Sequence, residues 1–307
     1  MIQNGFITNP YHELMPDYKI CPFSTVDIVK NKQLPESNYI DEYFQNRFGE
    51  NRFTYTVNGR DAISLALSHF QLKTTDCVTI LTTTGNFYIS SCVTTEIEKH
   101  CQWSRTIESN TKILFVNHEF GFPYENIEAL KKYNVPIIED CAHSFFSQDA
   151  NARTGKVGDF VIYSFPKMFP IQVGGLLVSN NDCVIKNNIP PDLLQYIKNC
   201  LSFYIKDSEA IIETRHRNYN YISEIVKELQ ITERFALTNN ITPGVFMFKS
   251  QKHLNYAELK LFLYKHGIQC SVFYGEDAFY IPVHQNLTYD DLDYFKAVMK
   301  TFMKQKQ

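Results

Sequence analysis

Lys112-Ile113-Leu114-Phe115-Val116-Asn117, Val135-Pro136-Ile137-Ile138-Glu139-Asp140 and Asp159-Phe160-Val161-Ile162-Tyr163-Ser164-Phe165 are three short apolar runs, each with polar residues at its end. Their centres are nearly continuous in apolar side chains. That is the pattern of strands covered on both faces, whereas a strand with one wet face alternates. Working outward, 53–57 reads as a further strand, 58–61 (Asn-Gly-Arg-Asp) as a tight turn, and the segment from Ala62 as a helix. Residues 77–81 and 175–179 read as strands, and 39–48, 86–100 and 124–133 as helices, the first closed by Gly49. Strands alternating with helices predict an α/β fold, a mostly parallel sheet with helices on both faces. Ligands of such sheets sit beyond the carboxyl ends of the strands.

The pattern changes after about residue 185. Segments 193–207, 209–229, 256–266 and 290–303 have helical spacing, and 244–249 and 269–274 read as strands. A chain of 307 residues has a prior of about two domains. The sequence therefore predicts a large ligand-binding domain over 1–189, opened by an irregular, proline-broken segment 1–38, and a smaller α+β domain over 190–307. With 44% hydrophobic and 21% charged residues the chain is not a disordered one. Thirty basic against 33 acidic residues leave no positive excess for a nucleic-acid backbone. The opening residues carry no basic and then apolar leader, and no run is long and apolar enough to span a bilayer. Eight cysteines without a C-x-x-C pair exclude the common zinc-ribbon and thioredoxin spacings, so no metal is expected. They read as reduced thiols of a soluble, cytoplasmic protein.

Three groups fall at strand ends on one edge of the expected sheet. Asn58-Gly59-Arg60 precedes a helix, whose free N–H groups suit a phosphate; a plain strand-to-helix turn has the same sequence. Asp140 ends an apolar strand, where a carboxylate either faces a cleft or caps the next segment. Lys167 follows another strand, as a nucleophilic amine or as a solvated loop lysine. Together, a phosphate cradle, a carboxylate for a pyridine nitrogen and a lysine for a carbonyl are what pyridoxal 5′-phosphate requires. Phe87 and Tyr88 are candidates to lie flat against its ring, or core aromatics. Arg215-His216-Arg217 would meet a diphosphate or form a solvated helix face.

With these residues in order, the chain resembles the DegT/DnrJ/StrS-type sugar aminotransferases, enzymes of the aspartate aminotransferase fold that use pyridoxal phosphate. The resemblance runs from about residue 39 to 179. Asn58-Gly59-Arg60-Asp61-Ala62 matches the family's phosphate-holding Ser-Gly-Thr-x-Ala, and Asn86-Phe87 its ring-stacking Thr-aromatic pair. His118-Glu119-Phe120-Gly121-Phe122-Pro123 is similar to His-x-aromatic-Gly-x-Pro. Glu139-Asp140-Cys141-Ala142-His143 resembles the Glu-Asp-x-Ala-His/Gln run, whose Asp pairs with the pyridine nitrogen. Gly158-Asp159, Ser164-Phe165, Lys167 and Gly174-Gly175 follow in the family's order. Near the end, Ile281-Pro282-Val283-His284 and Leu287-Thr288-Tyr289-Asp290-Asp291 resemble Leu-Pro-x-His and Leu-Thr-x-x-Asp. The departures are a Ser-to-Lys spacing shorter than usual, Gln172-Val173 where an acidic residue precedes the Gly pair, and no recognisable Asn-Tyr-Arg segment.

The resemblance implies a pyridoxal-phosphate-dependent aminotransferase. It implies Lys167 and Asp140 as catalytic residues and Asn58, Gly59, Arg60, Phe87, Asp140, His143, Ser164 and Lys167 as cofactor ligands. Glutamate or glutamine would be the donor and a keto-sugar nucleotide the acceptor, in glycan or secondary-metabolite biosynthesis, and the enzyme a homodimer. His143 would lie beside the ring, or cap a loop. Two alternatives stand beside this reading: a non-catalytic paralogue that binds a sugar nucleotide, and an elimination enzyme using the same cofactor. A nicotinamide dehydrogenase ranks below them, because no G-x-G-x-x-G follows a strand.

Overall fold

The computed structural model describes residues 17–181, 183, 185–250 and 254–305. In chain order the first half runs α1 (Val26–Lys32), α2 (Tyr39–Phe48), β1 (Phe53–Thr56), α3 (Gly59–His69), β2 (Cys77–Thr82), α4 (Ser91–Glu98), β3 (Gln102–Ser104), β4 (Thr111–Asn117), β5 (Ile137–Asp140), β6 (Phe160–Ser164) and β7 (Gly175–Ser179). The second half runs α5 (Pro191–Tyr204), α6 (Ser208–Val226), β8 (Ile231–Glu233), β9 (Phe246–Ser250), α7 (Tyr256–Lys265), β10 (Ser271–Val272), β11 (Phe279–Ile281) and α8 (Tyr289–Lys304).

Seven strands form one sheet in the order β1-β7-β6-β5-β4-β2-β3. β3, β2, β4, β5 and β6 run parallel, while β7 is antiparallel to both β6 and β1. The mostly parallel sheet expected from the apolar runs is present, and both its faces are covered. Ala62, Ile63, Ala66, Leu67, Val93 and Ile97 of α3 and α4 pack on one face. Ile40 and Phe44 of α2 and Ile197, Cys200 and Leu201 of α5 enter the core on another, with Phe165 and Phe169. α5 thus belongs to the core of this sheet, on the far side of the expected division at 189/190. The passage to the second core falls inside α6, where Ile211 packs in the first and Tyr219 in the second. That second core lies on an antiparallel sheet, β10-β11-β9-β8, covered by α6, α7 and α8. A capping box between Thr288 and Asp291 starts α8. Residues 17–22 join this second unit. Tyr18 bridges Ile268, Ile20 N–H donates to Gln269 Oε1 (2.7 Å), and Asn286 donates to the Pro22 carbonyl (2.8 Å).

Three local expectations are corrected, and three short strands are added. The helix expected over 86–100 begins only at Ser91, because Gly85 takes a positive φ (70°) and bends the chain into a loop through 86–90. The helix expected over 124–133 is a 3-10 turn, Ile127–Tyr133, bracketed by left-handed Asn126 and Asn134. The segment expected to be irregular, 1–38, contains α1; its residues 1–16 lie outside the described ones. β3, β8 and β11 are three-residue strands, too short to show a period in sequence. No helix among the described residues is long and apolar enough to cross a membrane.

Candidate active site

The strand-to-helix turn after β1 is built by its own side chains. Asn58 Oδ1 accepts from Asp61 N–H (3.1 Å), and Asp61 Oδ2 accepts from Val57 N–H (3.0 Å). These two bonds use neither the Gly59 nor the Arg60 N–H, which lie at the positive end of α3. Close packing fixes the turn against β7: a Cβ on Gly175 would stand 2.7 Å from Thr56 Oγ1 and 2.8 Å from the Asn58 carbonyl carbon. Ser164, at the end of β6, lies beside Gly59, where an added Cβ would come within 3.3 Å of the Ser164 Cβ.

At the end of β5, alternation separates two adjacent carboxylates. Glu139 points away from the cavity and is fully buried. Its Oε1 accepts from Val157 N–H (2.9 Å) and Gly158 N–H (2.7 Å), and its Oε2 from Gly155 N–H (2.7 Å) and His118 Nε2 (3.1 Å). His118 Nδ1 accepts from Tyr124 N–H (2.9 Å), which leaves the ring proton on Nε2. Burial alone would raise the Glu139 pKa, but the His118 contact and the glycine N–H groups outweigh it and hold the carboxyl below its ordinary value. Glu139, His118 and Cys141 bring ligand-type atoms within 4.8 Å of one another. Both Glu139 oxygens are already committed to four N–H donors, so the cluster works as an anchor for the 155–158 loop.

Asp140 faces the other way, into the cavity. Asn117 Nδ2 donates to its Oδ2 (2.7 Å) and Ala142 N–H to its Oδ1 (3.0 Å). Burial raises its pKa, against the lowering effect of those two donors and of the Lys167 charge. A buried carboxylate held by two neutral donors is an unfinished ion pair: it calls for a cation. Lys167 lies in the 3-10 turn Phe165–Lys167 that follows β6 directly, the strand next to β5. His143 has its imidazole pKa pushed far down, first by burial and then by the Lys167 and Arg215 charges. It is therefore neutral, and its buried Nδ1 has no hydrogen-bond partner among the described residues.

Asn58, Gly59, Arg60, Asp140, His143, Ser164 and Lys167 all line one cavity of about 530 Å³. Phe87 does not. It is 67% exposed, because the 86–90 loop turns it outward toward Arg105, and it is corrected here as a ring-stacking candidate. Its neighbour Tyr88 points inward, lines the cavity and packs on Phe273 and Tyr274. Phe120 also lines it, in a left-handed conformation (φ 51°), with its ring 5.3 Å from His143 and 4.7 Å from Tyr280. Asn117 carried a findable signal, a polar residue ending a strand in register with Asp140. Ile20, Gln269 and Tyr280 close the cavity from the second unit and carried none.

The Arg215-His216-Arg217 cluster does not line the cavity, and only part of it is solvated. Arg215 is 0% exposed, and His216 Nε2 contacts the Ile241 carbonyl (2.6 Å). Only Arg217 reaches the surface side, over the Tyr289 ring.

A helix N-terminus that suits a phosphate, a buried carboxylate in want of a cation and a lysine, in one cavity, fit pyridoxal phosphate. Comparison with known proteins points the same way. Residues 27–189 match the DegT/DnrJ/EryC1/StrS aminotransferase family. A Campylobacter jejuni (strain 81-176) UDP-4-amino-4,6-dideoxy-N-acetyl-beta-L-altrosamine transaminase is 32% identical over 114 residues, 36% of this chain and 28% of that protein. The GDP-perosamine synthase of Escherichia coli O157:H7 is 28% identical over 168 residues, 48% of this chain and 46% of that protein. The chain thus spans less than half the length of either relative. The crystal structure of the aminotransferase TlmJ from Streptoalloteichus hindustanus superposes with a TM-score of 0.76 over 94% of this chain and 100% of that one, at 12% identity, a likeness of fold.

Proposed function

Because the chain belongs to the DegT/DnrJ/EryC1/StrS aminotransferase family, we propose that it is a pyridoxal-phosphate-dependent aminotransferase. It transfers an amino group from glutamate or glutamine to a keto-sugar nucleotide, as a cytoplasmic homodimer. The observation that carries this reading is the convergence of Lys167 and Asp140, from the ends of adjacent parallel strands, on the cavity that also receives the N-terminus of α3.

Bound there, pyridoxal phosphate supplies an electrophilic aldehyde carbon and a ring that accepts electrons. The protein residues do the rest. The N–H groups of Gly59 and Arg60, with Ser164 beside them and the α3 dipole behind, hold a phosphate. Asp140 is the counter-charge for a protonated pyridine nitrogen: the cation would complete the pair that burial leaves open. Lys167 would hold the group through its amine and would carry a proton to and from the substrate carbon as general base and acid. His143, being neutral, offers a flat imidazole beside the ring without adding a cation next to Lys167. Tyr88 and Phe120 give the cavity its aromatic walls.

The test is to incubate the protein with pyridoxal phosphate, reduce with borohydride and locate the pyridoxyl group by mass spectrometry, with Lys167→Ala beside it. Trapping at Lys167 alone, then conversion of glutamate to its keto acid, supports the proposal. Trapping without keto acid supports the non-catalytic alternative. A deoxygenated sugar in place of an amino sugar supports elimination. A strictly monomeric active enzyme in sedimentation overturns the dimer.

A further inference from the structure

Arg215 is among the largest fully buried side chains of the described residues, and it carries a charge. Among the described residues no carboxylate pairs with it. Its guanidinium is spent on neutral acceptors: Nε donates to Gln285 Oε1 (2.8 Å), Nη1 to the Pro243 carbonyl (3.0 Å), and Nη2 to the carbonyls of Lys167 (3.1 Å) and Met168 (3.5 Å). An unpaired buried cation is costly, so a residue of this kind needs a function that a smaller or neutral one would not supply.

The backbone of the lysine turn explains the need. Phe165–Lys167 is a single 3-10 turn, with Met168 and Phe169 N–H closing back on the Phe165 carbonyl (3.0 and 2.8 Å). A turn that stops there leaves its next carbonyls without a helix to receive them. Those of Lys167 and Met168 are among them. Arg215 takes both, and Gln285, itself held by Arg215, donates Nε2 to Met168 O as well (2.9 Å). A planar fork of five donors can bridge such divergent acceptors, and a lysine ammonium cannot match it. The third carbonyl that Arg215 holds is that of Pro243, which precedes Gly244, whose N–H donates to the Phe120 carbonyl (2.7 Å) and whose Cβ position lies 2.8 Å from His143 Nδ1. One side chain thus fixes the peptide of Lys167 relative to two walls of its cavity.

We propose that Arg215, with Gln285, is a positioning residue for Lys167: it clamps the lysine's own peptide from behind, so that the amine meets Asp140, His143 and the bound group in one place. This rests on the reading of Lys167 given above. The test compares Arg215→Gln, Arg215→Lys, Gln285→Leu and, as control, the surface-side Arg217→Ala. Hydrogen–deuterium exchange of the cofactor-free full chain reads the clamp without any activity. The Met168 and Phe169 amides should exchange about tenfold faster in folded Arg215→Gln, the effect of losing a charged hydrogen bond. Gln285→Leu should move them in the same direction, which keeps the test decisive if Arg215→Gln does not fold. Arg217→Ala should leave them unchanged. In the loaded enzyme kcat should fall with the KM for the amino donor unchanged, and Arg215→Lys, which keeps the charge and loses the fork, should not restore it. Unchanged exchange in the folded Arg215 and Gln285 variants overturns the clamp, as does full rescue by lysine. If the wild type traps no cofactor at Lys167, the functional reading falls, while the exchange comparison still decides the clamp.

Discussion

Replacing Glu139 with glutamine removes one oxygen and one charge from a fully buried site, and the cost can be worked from its partners. The remaining oxygen can keep Val157 and Gly158, its two donors on the Oε1 side. The new amide then faces Gly155 N–H and His118 Nε2 with its own protons. His118 cannot adapt by moving its proton, because Nδ1 is needed by Tyr124 N–H. Two buried donors are left stranded, at about 1–3 kcal/mol each, so the loss is about 2–6 kcal/mol. That is a large part of a typical stability of about 5–15 kcal/mol. It corresponds to a fall in Tm of roughly 5–15 °C for a chain of this size. Thermal unfolding followed by circular dichroism at pH 7 measures it. The acid limb adds a second check. The folded carboxyl is held below its ordinary pKa, so its contribution is present above about pH 4.3 and is lost as pH falls through the folded value. The gap between wild type and variant should therefore narrow only in strong acid. A variant within about 1 °C of wild type, or a gap that has closed by about pH 6, would refute the assignment of four donors to this carboxylate.

Other outcomes follow from the same geometry. Asp140→Ala removes a counter-charge of about 1–3 pKa units and should lower kcat roughly ten- to a thousandfold in single-turnover assays, with the fold intact by circular dichroism. Tyr88→Ala should weaken cofactor binding in an absorbance titration, while Phe87→Ala, exposed and outside the cavity, should leave it within about 0.5 kcal/mol. Gly175→Ala puts a Cβ against the Asn58 backbone, which cannot yield as a side chain would; a loss of about 1–3 kcal/mol in urea unfolding and weaker phosphate binding are expected. His143 and His284 are both held neutral, His284 with its pKa lowered to about 3 by burial and then by the Arg215 charge. Below about pH 6.5 the unfolded imidazoles take up protons that the folded ones refuse, so each costs about 1.4 kcal/mol per further pH unit. Stability should fall from pH 7 to pH 5, and His284→Gln should flatten that slope.

The strand ends made the chemistry legible. Asp140 and Lys167 close continuous apolar runs, and parallel neighbours deliver such ends to one edge. Phe87 and Tyr88 show the limit. Two adjacent aromatics in an irregular segment point opposite ways, and only the bend at Gly85 decides which enters the cavity. Arg215 was hidden for a different reason. Helical spacing placed it correctly on α6, but its partners are backbone carbonyls 28 and 48 residues away, which leave no mark in the sequence. α5 was likewise legible as a helix and not as a tenant of the first core, since amphipathic spacing gives a face and not an address.

The attachment of residues 17–22 to the second sheet has a consequence for how the protein is made. Ile20 and Cys21 line the cavity, yet Ile20 is held by Gln269, 249 residues later. Synthesis adds about 5–20 residues per second, so this strip of wall is translated before its partner and waits some 12–50 seconds for it. The phosphate turn, Asp140 and Lys167 can assemble on the large sheet in the meantime. The cavity is thus left open on one side until Gln269 and Tyr280 emerge, and closing it is a long-range, slow step.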